Sequence, residues 1–298
     1  MSKMKRSSRW KNSRILKVLF SRRTIVLCMI VLALMILAAV FAPLIAPYEP
    51  NEDNLRSVLQ GSSAAHPLGT DGNGRDVLSR MIFGSRVSFI VGIVAVLIAS
   101  MLGMALGLIA GMTGGIVDTI IMRVMDAMMA IPMIIMSMFL GAIFGQGLGN
   151  ICLAIGIVLI PNYARVTRGQ VLSIRKADYV TAGILSGASA VRNTIVHVLP
   201  NCLSANIVLM TSNLGVAILS EASLSFLGMG INPPTPSLGG MVSDGYRYLS
   251  MNPIIAIAPG VYIMILVLCF NMVGDALRDA MDPKLRGTLG GKKRIKRR

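Results

Sequence analysis

Hydrophobic positions along the chain gather into long apolar blocks separated by short polar intervals. About 20 consecutive apolar residues cross a bilayer as a helix. Blocks of that size run from about Thr24 to Ala46, Val87 to Gly111, Cys202 to Leu227 and Pro253 to Val273. A fifth block, shorter, covers about Ile151 to Ala164 and carries Pro161. A sixth lies between the Gly114–Gly115 turn and the Gly145–Gly149 turn, with Pro132 expected to bend its helix. The pattern predicts an all-α, polytopic membrane protein with six transmembrane helices.

The polar intervals are not alike. Residues 47–82 form an excursion opened by Pro43, Pro47 and Pro50 and carrying Glu49, Glu52, Asp53, Asp71 and Asp76. The interval Arg175 to Asn201 is patterned throughout: Val180, Ile184 and Leu185 recur at helical spacing, as do Val191, Ile195, Val198 and Leu199. Gly187 sits between the two runs, where a helix can end on a left-handed residue at little steric cost. Ser189 can cap the next helix, and Pro200 suits the start of the span that follows. Two short amphipathic helices joined at a glycine make a docking surface; by pattern alone, a loop lying on the headgroups fits as well.

Composition sharpens this picture. The chain of 298 residues is 54% hydrophobic and 14% charged, whereas a soluble domain carries about a quarter charged residues. The formal charge of +16 invites a nucleic-acid reading, and its distribution argues against one. Nine basic residues lie in 1–23, nine between Arg278 and Arg298, and five in the central interval (Arg165, Arg168, Arg175, Lys176, Arg192). Six crossings put all of these on one side, which the positive-inside rule makes cytoplasmic, both termini included. There they hold helices at an anionic leaflet. The first block exceeds a signal-peptide core and lacks a small-residue cleavage site, so it is an anchor.

Charges near the membrane are few. Asp118 falls in the first turn of the third helix, where the macrodipole favours an acid. Arg123 and Asp126, three apart, are expected to form a structural ion pair in preference to a substrate contact. Glu221, near the outer end of its span, is a candidate for the pathway or a gate, with pairing or headgroup exposure as alternatives. Gly103, Gly107 and Gly111 make a stripe of small residues that lets another helix come close. Cys28, Cys152, Cys202 and Cys269 are packing residues, and His66 and His197 lie too far apart to suggest a metal site. The string Asp71-x-Asn73-x-Arg75-Asp76 lacks the glycine and distal glutamate of a calcium loop. No GxxxxGK[ST] occurs, so the chain is not expected to hydrolyse ATP, and no nucleophile–base pair suggests an enzyme.

The stretch DYVTAGILSGASAVRNTIVHVLPN (Asp178–Asn201) resembles the cytoplasmic "EAA" loop of ABC importer permeases. The EAA triplet falls on Thr181, Ala182 and Gly183, the loop glycine on Gly187 and the hydrophobic end on Val198, Leu199 and Pro200. The glutamate and third alanine are missing and His197 replaces an isoleucine, while Asp178, one turn earlier, could supply a carboxylate. Three further segments, His66–Arg86, Gly114–Pro132 and Cys269–Pro283, are similar to the C-type permeases of dipeptide, oligopeptide and nickel ABC importers.

The resemblance implies a multi-pass subunit of the bacterial inner membrane that forms half of a translocation pathway for peptides, or alternatively for nickel or a metal chelate. It implies an ATPase-coupling loop within 167–200, comprising Asp178, Tyr179, Thr181, Ala182, Gly183, Gly187, Ala188, Ser189, Ile195, Leu199 and Pro200. Arg123, Asp126 and Glu221 are the candidate pathway or gating residues. Implied partners are a second homologous permease, two ABC ATPases holding ATP and Mg, and an extracytoplasmic substrate-binding protein; no cofactor is expected on this chain. The expected division is a basic tail 1–23, a first helix 24–46, an external loop 47–82, a five-helix core 83–280 and a basic tail 281–298. A self-contained secondary transporter would show an internal repeat, and none is evident.

Overall fold

The computed structural model describes residues 22–187 and 189–281; most of each basic tail (1–21 and 282–298) and Ala188 lie outside them. Among the described residues the regular structure is helical: α1 (Arg23–Val40), α2 (Ala42–Ile45), α3 (Val77–Thr113), α4 (Gly115–Ala130), α5 (Met133–Phe144), α6 (Leu148–Ile174), α7 (Asp178–Leu185), α8 (Ala190–Asn193), α9 (Leu199–Phe226), α10 (Leu238–Tyr246) and α11 (Ile254–Met281). Five helices are individually long and apolar enough to span, and a sixth span results if α4 and α5 count together.

Several boundaries differ from expectation for local reasons. The helix α3 begins ten residues before its apolar block, because Asp76 caps it: its carboxylate accepts from the backbone N–H and the hydroxyl of Ser79, each at 2.7 Å. At 37 residues, α3 is about 55 Å long and reaches from one end of the molecule to the other. The expected bend at Pro132 is a full break. Ile131, which precedes the proline, is extended (φ −90°, ψ 129°), as proline's ring demands, and α4 and α5 meet at 97°.

The segment expected to be a second, separate coupling helix runs directly into α9. A π-helical turn at Thr194–Val198 joins α8 to α9, with Leu199 N–H donating to Thr194 O. Pro200 explains the widened turn, since it donates no N–H and its ring crowds the carbonyl four residues back.

The core centres on α3 and α6, which approach closely along the glycine stripe. A Cβ at Gly103 would stand 2.5 Å from Tyr163 Cβ, and one at Gly107 would stand 2.5 Å from the Ala164 carbonyl oxygen. Helices α9 and α11 pack beside this pair, and α1 closes the flank: Met35 and Ala39 bury against Phe89, Ile218, Leu266 and Phe270.

The two ends of α3 carry different structures. Around its start, the 47–76 excursion is a hydrogen-bonded plug. Thr70 is fully buried, its hydroxyl bonded to Ser57 O and Gln60 N. Asp71 Oδ1 accepts from the N–H groups of Asn73 and Arg75, both at 2.9 Å, while its Oδ2 lies 3.4 Å from Arg80 Nε. Around the far end of α3, Leu108 and Met112 pack with Val171, Val180, Val198 and Cys202, which seats the α7–α8 hairpin.

Candidate functional site

The hairpin is built from a helix that must stop and one that must start. After Leu185 the chain reverses at Gly187, whose φ of +80° is open to glycine and strained for other residues. Ser189 then caps α8, its hydroxyl 3.3 Å from the Arg192 N–H. Asn193, buried between the arms, donates to Val180 O at 3.1 Å. A Cβ at Gly183 would stand 2.8 Å from Asn193 Oδ1; the glycine that replaces the third alanine of the loop thus makes room for this asparagine.

The apolar periodicity of the hairpin divides into two faces. Val180 and Val198 are buried and attach it to α3 and α6, whereas Tyr179, Leu185, Val191 and Ile195 are exposed. Asp178, Thr181, Ala182, Ser189 and Pro200 are also exposed, while Leu199 is half-buried. Tyr179 and His197 lie edge to face with ring centroids 6.4 Å apart, and the Asn201 amide reaches Tyr179 Oη at 3.4 Å. A half-apolar surface of about two turns per arm therefore stands at one end of the bundle, held to the spans by a small core.

The expected Arg123–Asp126 pair does not form. Asp126 Oδ1 lies 2.7 Å from Arg165 Nη2, and Asp118 takes two hydrogen bonds from Arg168 at 2.5 and 2.6 Å. Both carboxylates thus face α6, and Arg123 is exposed with no ion pair or hydrogen bond among the described residues. The i, i+3 spacing permitted a pair, but α6 places two guanidiniums against the same face of α4.

Glu221 is fully buried and faces no headgroup. Ser88 of α3 donates to Oε2 and Ser225 to Oε1, each at 2.8 Å. The Ser88 bond joins α3 to α9 through the carboxylate, and Ser225, one turn on in α9, holds the other oxygen. The arrangement belongs to a wider seam that sequence reading missed: Asn206, Asn213 and Ser220 are buried at seven-residue spacing on one face of α9. Asn206 bonds Thr167 Oγ1 at 3.0 Å, linking α9 to α6. The seven-residue recurrence of small polar residues was the available signal.

A cleft of about 310 Å³ opens at the end opposite the hairpin, lined by Asp71, Arg75, Arg80, Asp244, Arg247 and Tyr248 among others. Its floor is fixed by the buried Arg80, which also donates to Pro50 O at 2.8 Å, and Arg75 is held 2.5 Å from Asp53. Among the described residues no three His, Cys, Asp or Glu side chains gather as metal ligands.

Residues 103–287 match the family described as binding-protein-dependent transport system inner membrane component, and residues 8–61 match the N-terminal TM domain of oligopeptide transport permease C. The dipeptide transport system permease protein DppC of Escherichia coli (strain K12) is 46% identical over 264 residues, covering 87% of this chain and 88% of that protein. DppC of Haemophilus influenzae is 42% identical over 264 residues, covering 87% and 90% respectively. The glutathione transport system permease protein GsiD of Escherichia coli O1:K1 is 38% identical over 258 residues, covering 85% of this chain and 84% of its own length.

Proposed function

This chain belongs to the family of binding-protein-dependent transport system inner membrane components, and on that premise we propose that it forms half of a peptide pathway in an ATP-driven importer, with dipeptides as its cargo. The relatives support the cargo: two are named for dipeptides and one for glutathione, itself a small peptide. The second permease supplies the other half of the pathway, and the two alternate between outward- and inward-open states.

The observation that carries the coupling role is the hairpin with Tyr179, Leu185, Val191 and Ile195 exposed beyond the spans. A helix face of that kind fits a hydrophobic groove on a partner, here an ATPase subunit that holds ATP and Mg. Asp178, Thr181 and Ala182 meet the groove's rim, Gly183 and Gly187 set the hairpin's shape, Ser189 caps the second arm, Ile195 belongs to its exposed face, and Leu199 and Pro200 carry that arm into α9. The hairpin and both termini are cytoplasmic, following the basic residues. The binding protein delivers cargo at the opposite end, where the 47–76 plug and the charged cleft lie.

Reconstitution into vesicles with the second permease, the ATPases and the binding protein tests this reading. Dipeptides are expected to stimulate both hydrolysis and uptake. Stimulation by a nickel chelate and not by dipeptides would overturn the cargo, and uptake persisting without the ATPases would overturn the machine.

A further inference from the structure

We propose that the cleft at the plug end is a receiving site for a free dipeptide, in which Arg247 takes the peptide's carboxylate and Asp244 its ammonium group. The inference deepens the importer reading above and rests on it for the cargo and for the outward orientation of this end. The cleft's volume of about 310 Å³ stands at the lower end of the range for small-molecule sites, about 300–1,000 Å³. Its walls all come from this chain: the plug, the start of α3, the 231–237 loop and α10.

The charges in the cleft fall into two groups. Arg75 and Arg80 are engaged within the protein, by Asp53 at 2.5 Å and by Asp71 at 3.4 Å, and Arg80 is buried. These groups build the floor. Asp244 and Arg247 are exposed. Asp244 adds a longer-range attraction to Arg80, but among the described residues the side chain of neither Asp244 nor Arg247 makes an ion pair or hydrogen bond. They stand three residues apart where α10 ends, and Arg247 keeps helical backbone angles (φ −66°, ψ −22°). Their Cβ atoms are therefore about 5–6 Å apart on one side of the helix. That spacing permits them to pair, yet both instead line the cleft.

Charge balance selects the ligand. Arg75, Arg80 and Arg247 face Asp53, Asp71 and Asp244, so the cleft has no net charge to hold a simple anion or cation. What it offers is one uncommitted group of each sign. A dipeptide presents an ammonium and a carboxylate, separated by roughly 7 Å along an extended chain, and matches that pair. The forked donors of a guanidinium suit a carboxylate. Ile231 and Met241 supply apolar wall, and recognition through the two ends leaves the identity of the cargo's side chains unread. A longer peptide carries its ends further apart than two groups on one helix turn can reach.

The test uses the complete membrane complex in nanodiscs, without the binding protein, and radiolabelled dialanine as the probe. Weak, saturable binding is expected, and either amidating the carboxylate or acetylating the amine should weaken it several-fold. Arg247→Gln should lower dialanine binding to the level of dialanine amide and leave the amide unchanged. Asp244→Asn should lower it to the level of N-acetyl-dialanine and leave that ligand unchanged. No saturable binding by the parent complex, no fall in either variant, or an equal fall for all three ligands would overturn the proposal. So would loss of binding-protein attachment in Arg247→Gln with dialanine binding intact, which would make the cleft a docking face. Dipeptide uptake by the parent complex once the binding protein is restored shows that the importer reading stands when this site fails. Dialanine neither bound nor taken up would overturn both.

Discussion

Asp126 of α4 and Arg165 of α6 stand 2.7 Å apart, and their neighbours Asp118 and Arg168 repeat the arrangement one or two turns away with two bonds in place of one. The two pairs differ in exposure: both partners of the first are about half exposed, whereas Asp118 and Arg168 show 15% and 32% of their side chains.

Exposure orders their worth. Asp126→Asn is expected to cost at most about 1 kcal/mol, as surface pairs do. Asp118→Asn, which breaks a bidentate and better shielded contact, is expected to cost about 1–3 kcal/mol. Thermal midpoints of the purified complex should fall in that order. Combining Asp126→Asn with Arg165→Gln should restore part of the loss, whereas combining it with Arg123→Gln should restore none. Restoration by Arg123→Gln would return the pairing to the i, i+3 neighbour.

Glu221 is expected to act through position, by joining two helices. Glu221→Gln keeps an acceptor and offers an amide to the second serine, so it should be mild. Glu221→Ala leaves the Ser88 and Ser225 hydroxyls without their acceptor in a dry interior, and should cost about 2–3 kcal/mol. The check is thermal stability beside dipeptide uptake. Normal stability with uptake abolished in Glu221→Ala would assign the carboxylate to the pathway.

Gly187 carries the hairpin reversal. A Cβ there meets nothing within 4 Å, so only the φ of +80° penalises a substitution. Gly187→Val should cost about 1–3 kcal/mol of local strain, leaving insertion and permease pairing intact while weakening ATPase attachment or uncoupling hydrolysis from uptake. Gly187→Ala should be milder. A pull-down of the ATPase and an uptake assay at matched membrane levels decide it; parental behaviour of Gly187→Val in both would remove the hairpin from the coupling role.

Sidedness follows from charge and is read by labelling. Cysteines replacing Ser62 and Thr235, both exposed at the plug end, are expected to react with an impermeant thiol reagent outside sealed cells. Thr288→Cys, in the basic tail, should stay unlabelled. Labelling of Thr288→Cys from outside would reverse the assigned orientation.

The sequence by itself determined what hydrophobicity and backbone chemistry report. Apolar length located the spans, Gly187 and Ser189 marked the hairpin's reversal and cap, and the Gly103–Gly107–Gly111 stripe marked a close helix contact. It could not separate the faces of an apolar helix, because lipid-facing and core-facing positions are equally hydrophobic in a membrane. Ile218 and Leu219 of α9 are alike in sequence, yet one is buried and the other exposed. Helix ends escaped where polar side chains extended them, as Asp76 does for α3, and where Pro132 broke a span outright. The partners of Asp118 and Asp126, and the Ser88 partner of Glu221, were decided by tertiary structure alone. A charge's local neighbours are fixed by spacing, but the helix that lies across from it, and at what height, is set by how the glycine stripe of α3 lets α6 settle and by where α4 turns away at Ile131. That register is a property of packed helices, and no single helix carries it.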